Sequence, residues 1–185
     1  MLHIQALKTF ADVYRAAEAQ GLPAETVSYR GWHAGARVGA GTDSGAVLAY
    51  RRSGTEAECV FHPGREPQFN IMTNGWRRPG ETRPFTVCRV DHGIYGTFVP
   101  GVGRLDVLRE DGEVVPAQIV AHTFAVDLHV IPPAEELPES AGVDERITHG
   151  WAHLAAAREA ARPLRVRVFD TGGAVLHEGP LLAED

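Results

Sequence analysis

The sequence predicts a mainly β fold: an immunoglobulin-like β-sandwich with an N-terminal helix and a helical insertion before the last hairpin. Three observations lead to its β core, in terms that suit a sandwich or a barrel alike. Between Gly93 and Ile131, Leu105 and Val107 alternate with Arg104 and Asp106, and Phe124, Val126, Leu128 and Val130 alternate with Thr123, Ala125, Asp127 and His129, the two-residue period of strands. Asp111-Gly112 between those runs supplies a hairpin turn. From Thr26 to Val90, glycines recur at the short intervals that separate strands in sandwiches and barrels.

The elements follow in order. Residues 4–20 read as a helix, because Ile4, Leu7, Phe10, Ala11, Tyr14 and Ala17 recur at three- and four-residue spacing and Gly21 with Leu22-Pro23 is a stop signal. Short strands are expected at Val27–Tyr29, Ala46–Tyr50, Ala57–Phe61, Phe69–Met72 and Phe85–Val90, with a hairpin around Ser53-Gly54. His122 and His129, seven residues apart in one long strand, would point to opposite faces. Pro132–Ser140 holds three prolines and must be an exposed connection. It leads into a second helix with Asp144 at its start, Ile147, Trp151, Leu154 and Ala155 on one face, Gly150 weakening it by about 1 kcal/mol, and Pro163 ending it. Leu164, Val166 and Val168 then alternate with Arg165 and Arg167, and Asp170–Gly173 turns the chain into a final strand at Ala174–His177.

Neither a repeat nor a linker divides the 185 residues, so a single domain is expected: 1–22 the N-terminal helix, 26–131 and 164–182 the β core, and 132–163 the insertion. The core should come chiefly from Leu105, Val107, Ile119, Phe124, Val126, Leu128, Leu164, Val166 and Val168.

Composition bounds the function. An apolar fraction of 44% with 23% charged residues is that of a folding globular chain. A net charge of −6, with basic runs no longer than Arg51-Arg52 and Arg77-Arg78, argues against nucleic acid, whose phosphates need clustered cations. The apolar runs all fall short of the roughly 20 residues of a membrane span, and the N-terminus shows no export signal, so the chain as given reads as soluble and cytoplasmic, or extracytoplasmic if a leader precedes it. Cys59 and Cys88 lie in expected strands and are a candidate disulfide in an oxidising compartment, or two buried core thiols in a reducing one.

The segments Phe98-Val99-Pro100-Gly101-Val102, Arg104–Leu108, Asp111-Gly112 and Ala121–Val126, with the later VRVFDTGGAVLHEGPL, resemble an actinobacterial extracytoplasmic β-sandwich family. The resemblance covers about half the chain. It implies an immunoglobulin-like domain and a cysteine pair that Cys59 and Cys88 would match, and it implies no chemistry. The chain departs from that family in lacking its membrane anchor and in carrying Pro132–Pro163 where a short connection is expected.

Few constellations carry chemistry. His149 and His153, at i and i+4, could share a helical face and hold zinc, with Asp144 or Glu145 as a further ligand; Gly150 stands where a hydrolytic zinc helix has its glutamate. Gly41–Gly45 lacks the order of a nucleophile elbow, Gly35–Gly45 lacks the lysine and helix of a phosphate loop, and neither cysteine has a Cys-x-x-Cys partner. Asp91 and His92, adjacent in sequence, read as a loop. No catalytic residue and no cofactor are therefore assigned. The expected function is a non-catalytic interaction or structural module, engaging an unknown protein partner or a second copy through end loops, with Trp76, Arg77 and Arg78 presented on a turn-rich loop. The alternative is a small-molecule-binding β-barrel, a cofactor-independent enzyme among its forms, with a pocket at Trp32, His33, Tyr95 and His129.

Overall fold

The computed structural model describes residues 2–72, 83–132, 137–138 and 140–183. Helix α1 (Leu2–Ala19) precedes β1 (Ser28–Tyr29), β2 (Trp32–Val38), β3 (Gly45–Tyr50), β4 (Glu56–Phe61), β5 (Gln68–Met72), β6 (Phe85–Arg89), β7 (Ile94–Phe98), β8 (Val102–Leu108), β9 (Val114–Pro116), β10 (Gln118–Val120) and β11 (Thr123–Val126). Helix α2 (Val143–Ala161) then leads into the hairpin of β12 (Arg165–Asp170) and β13 (Val175–Pro180). The protein is mainly β. Its described strands form three antiparallel sheets, in the orders β1-β2-β3-β4-β5, β10-β11-β7-β6 and β13-β12-β8-β9, where an immunoglobulin sandwich has two.

Strand alternation explains the layering. In β4, Ala57, Cys59 and Phe61 cluster with Phe10, Ala11, Tyr14 and Ala17 of α1, whereas Val60 clusters with Ala46 and Leu48 against Cys88, Tyr95 and Ala125 of the second sheet. The second sheet is apolar on both faces, since Ile94, Phe98, Phe124 and Val126 turn the other way, toward the third sheet and α2. It is the middle layer, and β7 and β11 are buried at every residue. Of the residues expected to fill the core, Leu105, Val107, Phe124, Val126, Leu164, Val166 and Val168 are buried in this last cluster, with Ile119 and Leu128 partly buried at its margin.

Four expectations change. Strand β2 was not foreseen, because Gly35 interrupts its pattern and its register shifts between Ala34 and Arg37. There the Ala36 N–H donates to Thr123 Oγ1 at 2.7 Å and the Arg37 N–H to Gln118 Oε1 at 2.9 Å, tying the first sheet to the second. A Cβ on Gly35 would sit 2.5 Å from the Thr123 hydroxyl, so this approach requires glycine. The long strand ends at Val126, where the Leu128 N–H turns back to the Val126 carbonyl, so His122 lies in the β10–β11 turn and His129 beyond the strand. On α2, Ile147 and Trp151 are 52% and 67% exposed, while Ala157 and Ala161 are buried. Periodicity shows which residues share a face, but small alanines allow closer packing and took the inner side. Finally, Cys59 and Cys88 are free thiols, Cys59 in the cluster on the α1 face of the first sheet and Cys88 in the cluster between the first and second sheets.

Candidate functional site

Between the first and second sheets lies a buried polar network centred on Glu58, which is 2% exposed. Glu58 stands opposite Asn70 across β4 and β5, and Arg89 stands opposite Tyr95 across β6 and β7, so a carboxylate on one sheet meets a cation and a phenol on the next. A register shift between Val87 and Arg89 lets Cys88 and Arg89 both face the first sheet. Glu58 Oε1 accepts from Asn70 Nδ2 at 2.8 Å and from Arg89 Nη2 at 2.9 Å; Oε2 accepts from the Tyr95 hydroxyl at 2.7 Å and from Arg89 Nε at 3.4 Å. Burial opposes the charge of Arg89, but hydrogen bonds and attraction from Glu58 outweigh it and raise its pKa. Burial, reinforced by the Glu58 charge, raises the Tyr95 phenol well above its usual range. With four donors on two oxygens, this carboxylate is occupied as a lock between sheets and has little capacity left to act as a base.

Toward the surface, the β6–β7 turn carries Asp91 and His92. Gly93 fixes that turn: its φ is +101°, and any Cβ would lie 2.3 Å from the Val38 side chain. Asp91 is 6% exposed, stands 3.7 Å from both Arg89 Nη1 and His92 Nε2, and leaves its buried Oδ1 without a hydrogen bond. The His92 ring neighbours two others, 5.7 Å from His62 and 6.5 Å from His153 of α2 by ring centres. Burial lowers the His92 pKa, with Asp91 opposing and His62 adding to the effect. A second aromatic group sits at the end of the β3–β4 hairpin: Tyr50 stacks on His33 at 5.5 Å and meets the His122 edge at 4.7 Å, and His122 Nε2 lies 3.2 Å from Glu56. The turn bearing His122 holds Ala121 at φ +53°.

The residues named for a pocket do not meet. Trp32 is fully buried on the α1 side of the first sheet, Tyr95 is locked between sheets, His33 lies at the edge on Tyr50, and His129 lines a cleft of about 320 Å³ with Arg109, Asp111, Ala160 and Pro163. His149 and His153 do not form a ligand set with Asp144 or Glu145: among the described residues no three such groups converge, and His153 turns to His92. Trp76, Arg77 and Arg78 lie outside the described residues. Sequence reasoning missed Glu58 and Arg89. The available signal was a charge inside each of two apolar strands, AECVF and TVCRV, which a half-exposed strand would have turned to solvent.

Helix α2 presents the most prominent exposed apolar face. Val143, Ile147 and Trp151, spaced four apart, are 74%, 52% and 67% exposed. Asp144, Ala155 and Arg158 are exposed on the same side. Among the described residues no helix is long and apolar enough to cross a membrane. No protein-family model, characterised protein or solved structure matches this chain.

Proposed function

We propose that the chain is a non-catalytic interaction module that pairs with a second copy of itself, α2 against α2. The observation that carries this is the exposed stripe of Ile147 and Trp151 on a helix whose inner side is sealed by Ala157 and Ala161. Charge identifies the occupant. Asp144 and Arg158 stand seven residues, two turns, to either side of Trp151, so two antiparallel copies crossing at Trp151 set each Asp144 against the other's Arg158 and each Ile147 against Ala155. Antiparallel pairing also opposes the two helix dipoles favourably. The occupied Glu58 carboxylate supports a structural rather than catalytic interior. Kinship with extracytoplasmic immunoglobulin-like sandwiches belongs to the same proposal, supported by face-to-face antiparallel sheets. A reducing compartment such as the cytoplasm suits the two free thiols.

Sedimentation equilibrium tests the pairing. Wild type should show a dimer that dissociates on dilution, and an Ile147→Asp, Trp151→Asp variant should be monomeric with the Tm of wild type diluted until it is monomeric. A wild type that stays monomeric to high concentration, or a dimer indifferent to both substitutions, would overturn the reading.

A further inference from the structure

One end of the first sheet collects arginines that the fold does not neutralise. Tyr29 pairs with Trp32 and His33 with Tyr50, so the β1–β2 turn, with Arg30, and the β3–β4 turn, with Arg51 and Arg52, lie side by side. Arg51 lies over the Trp32 ring at 4.7 Å and Arg30 over the Tyr29 ring at 5.3 Å. A guanidinium held by its face against a ring keeps its N–H edge for in-plane hydrogen bonds to an oxyanion. Among the described residues none of the three has a carboxylate within ion-pair distance, whereas Arg37, Arg89, Arg104 and Arg167 each have one. Glu56, opposite Tyr50 across β3 and β4, is taken by His122. Two donors here also lack acceptors: Arg51 Nε and the Nε1 of the fully buried Trp32. A buried donor without an acceptor is costly, so in a chain of net charge −6 this one end is short of an anion.

We propose that these paired turns bind a phosphate group, with Arg30, Arg51 and Arg52 as its ligands. A phosphate monoester carries about −1.5 to −2 charges at pH 7 on three acceptor oxygens, so it answers three guanidiniums better than a single carboxylate does. Three cations on two turns suit one phosphate rather than the extended array that a nucleic-acid backbone needs. Arg30 holds φ +48°, a left-handed backbone that asparagine or glycine takes more readily in a hairpin turn, so the turn itself gives no reason for arginine. Arg30 and Arg52 are exposed and reach a ligand without unfolding, and Arg51, half-buried on Trp32, gains the acceptor that its Nε lacks. The cluster is absent from the sequence as a run, because the fold brings Arg30 to the Arg51-Arg52 pair across β2.

Two arms test the site on the full-length protein: calorimetric titration with inorganic phosphate, sodium chloride holding the ionic strength constant, and flotation with phosphatidylcholine vesicles with and without phosphatidic acid. Saturable binding is expected in at least one. A response to free phosphate assigns the site to a soluble phosphate, and a response confined to phosphatidic acid assigns it to a lipid headgroup. In the responding arm, the Arg30→Gln, Arg52→Gln double variant, altered only at exposed positions, should keep the wild-type Tm measured without ligand and bind at least tenfold more weakly. Arg51→Lys keeps the charge but loses the planar fork and should weaken binding at least threefold, whereas Arg165→Gln on the third sheet should leave it unchanged. Should Arg51→Lys unfold, the double variant decides. Absence of saturable binding in both arms, binding that survives Arg30→Gln with Arg52→Gln, or loss of binding on Arg165→Gln would each refute the site.

Discussion

Replacing Glu58 by glutamine probes the lock between the first and second sheets with almost no change of volume. The carboxamide oxygen can accept two of the four donors, but on either side its NH₂ then faces an Arg89 N–H, which can only donate, and the Arg89 charge loses its pair. Breaking a fully buried pair costs about 3–5 kcal/mol. Arg89 retains 28% side-chain exposure and has Asp91 at 3.7 Å, which places the expected cost near the lower bound, about 3 kcal/mol. For a chain of 185 residues that corresponds to a fall in Tm of about 6–12 °C. Denaturant unfolding followed by circular dichroism measures it. Arg89→Gln should cost at least as much, about 3–5 kcal/mol, because it leaves the buried Glu58 carboxylate without its cation, and the double variant should fall short of the sum by at least about 1 kcal/mol, because the second substitution removes a lone buried ion. A cost for Glu58→Gln below about 1 kcal/mol, or strict additivity, would refute the network.

Other expectations follow from the same geometry. Ala121→Gly should stabilise the protein by about 0.5–1 kcal/mol, since a left-handed backbone costs an L-residue about 1–2 kcal/mol and glycine's added freedom takes back only part of that; chemical denaturation would show it. Cys59 and Cys88, both pushed up to about 12, first by burial, should resist Ellman's reagent at pH 8 in the native state and react fully once unfolded. Because burial depresses the His92 pKa below its ordinary 6.5, the unfolded chain binds the extra proton first. Stability should therefore be full above about pH 6.5 and decline as pH falls through the interval below it, and His92→Asn should flatten that decline across pH 7.5 to 5.5. Trp151→Ala should leave the unfolding free energy within about 0.5 kcal/mol, whereas Trp32→Ala should cost about 3–5 kcal/mol.

The two-residue period made β8 and β11 legible, and the apolar spacing of Phe10, Ala11, Tyr14 and Ala17 located α1 and its buried side. Turn chemistry also carried over: Asp170 Oδ1 accepts from the Gly172 and Ala174 N–H groups, and the Arg109 N–H closes the Asp111-Gly112 loop on Glu113. Strand β2 stayed hidden because its contacts come from distant Thr123 and Gln118 side chains. Division into three sheets depends on which faces meet, and β7 of the middle sheet, buried at every residue, shows no alternation to read. Glu58, Arg89 and Asp91 were invisible as a group because 31 residues separate Glu58 from Arg89 and only the sheet stacking joins them. His153 was singled out, but with His149 on its own helix rather than with His92 across the fold.

Exchanging the charges that frame Trp151 addresses self-pairing most directly. Asp144→Arg sets two cations against each other at both contacts flanking Trp151 and Arg158→Asp two anions, so each variant alone should dimerise about tenfold more weakly at low salt, two symmetric contacts of about 0.3–0.4 kcal/mol each changing sign. Mixed in equal amounts, the two variants should sediment together as a heterodimer at least as tight as wild type. Variants that each dimerise like wild type, or a mixture that gains nothing over its components, would contradict an antiparallel α2 interface.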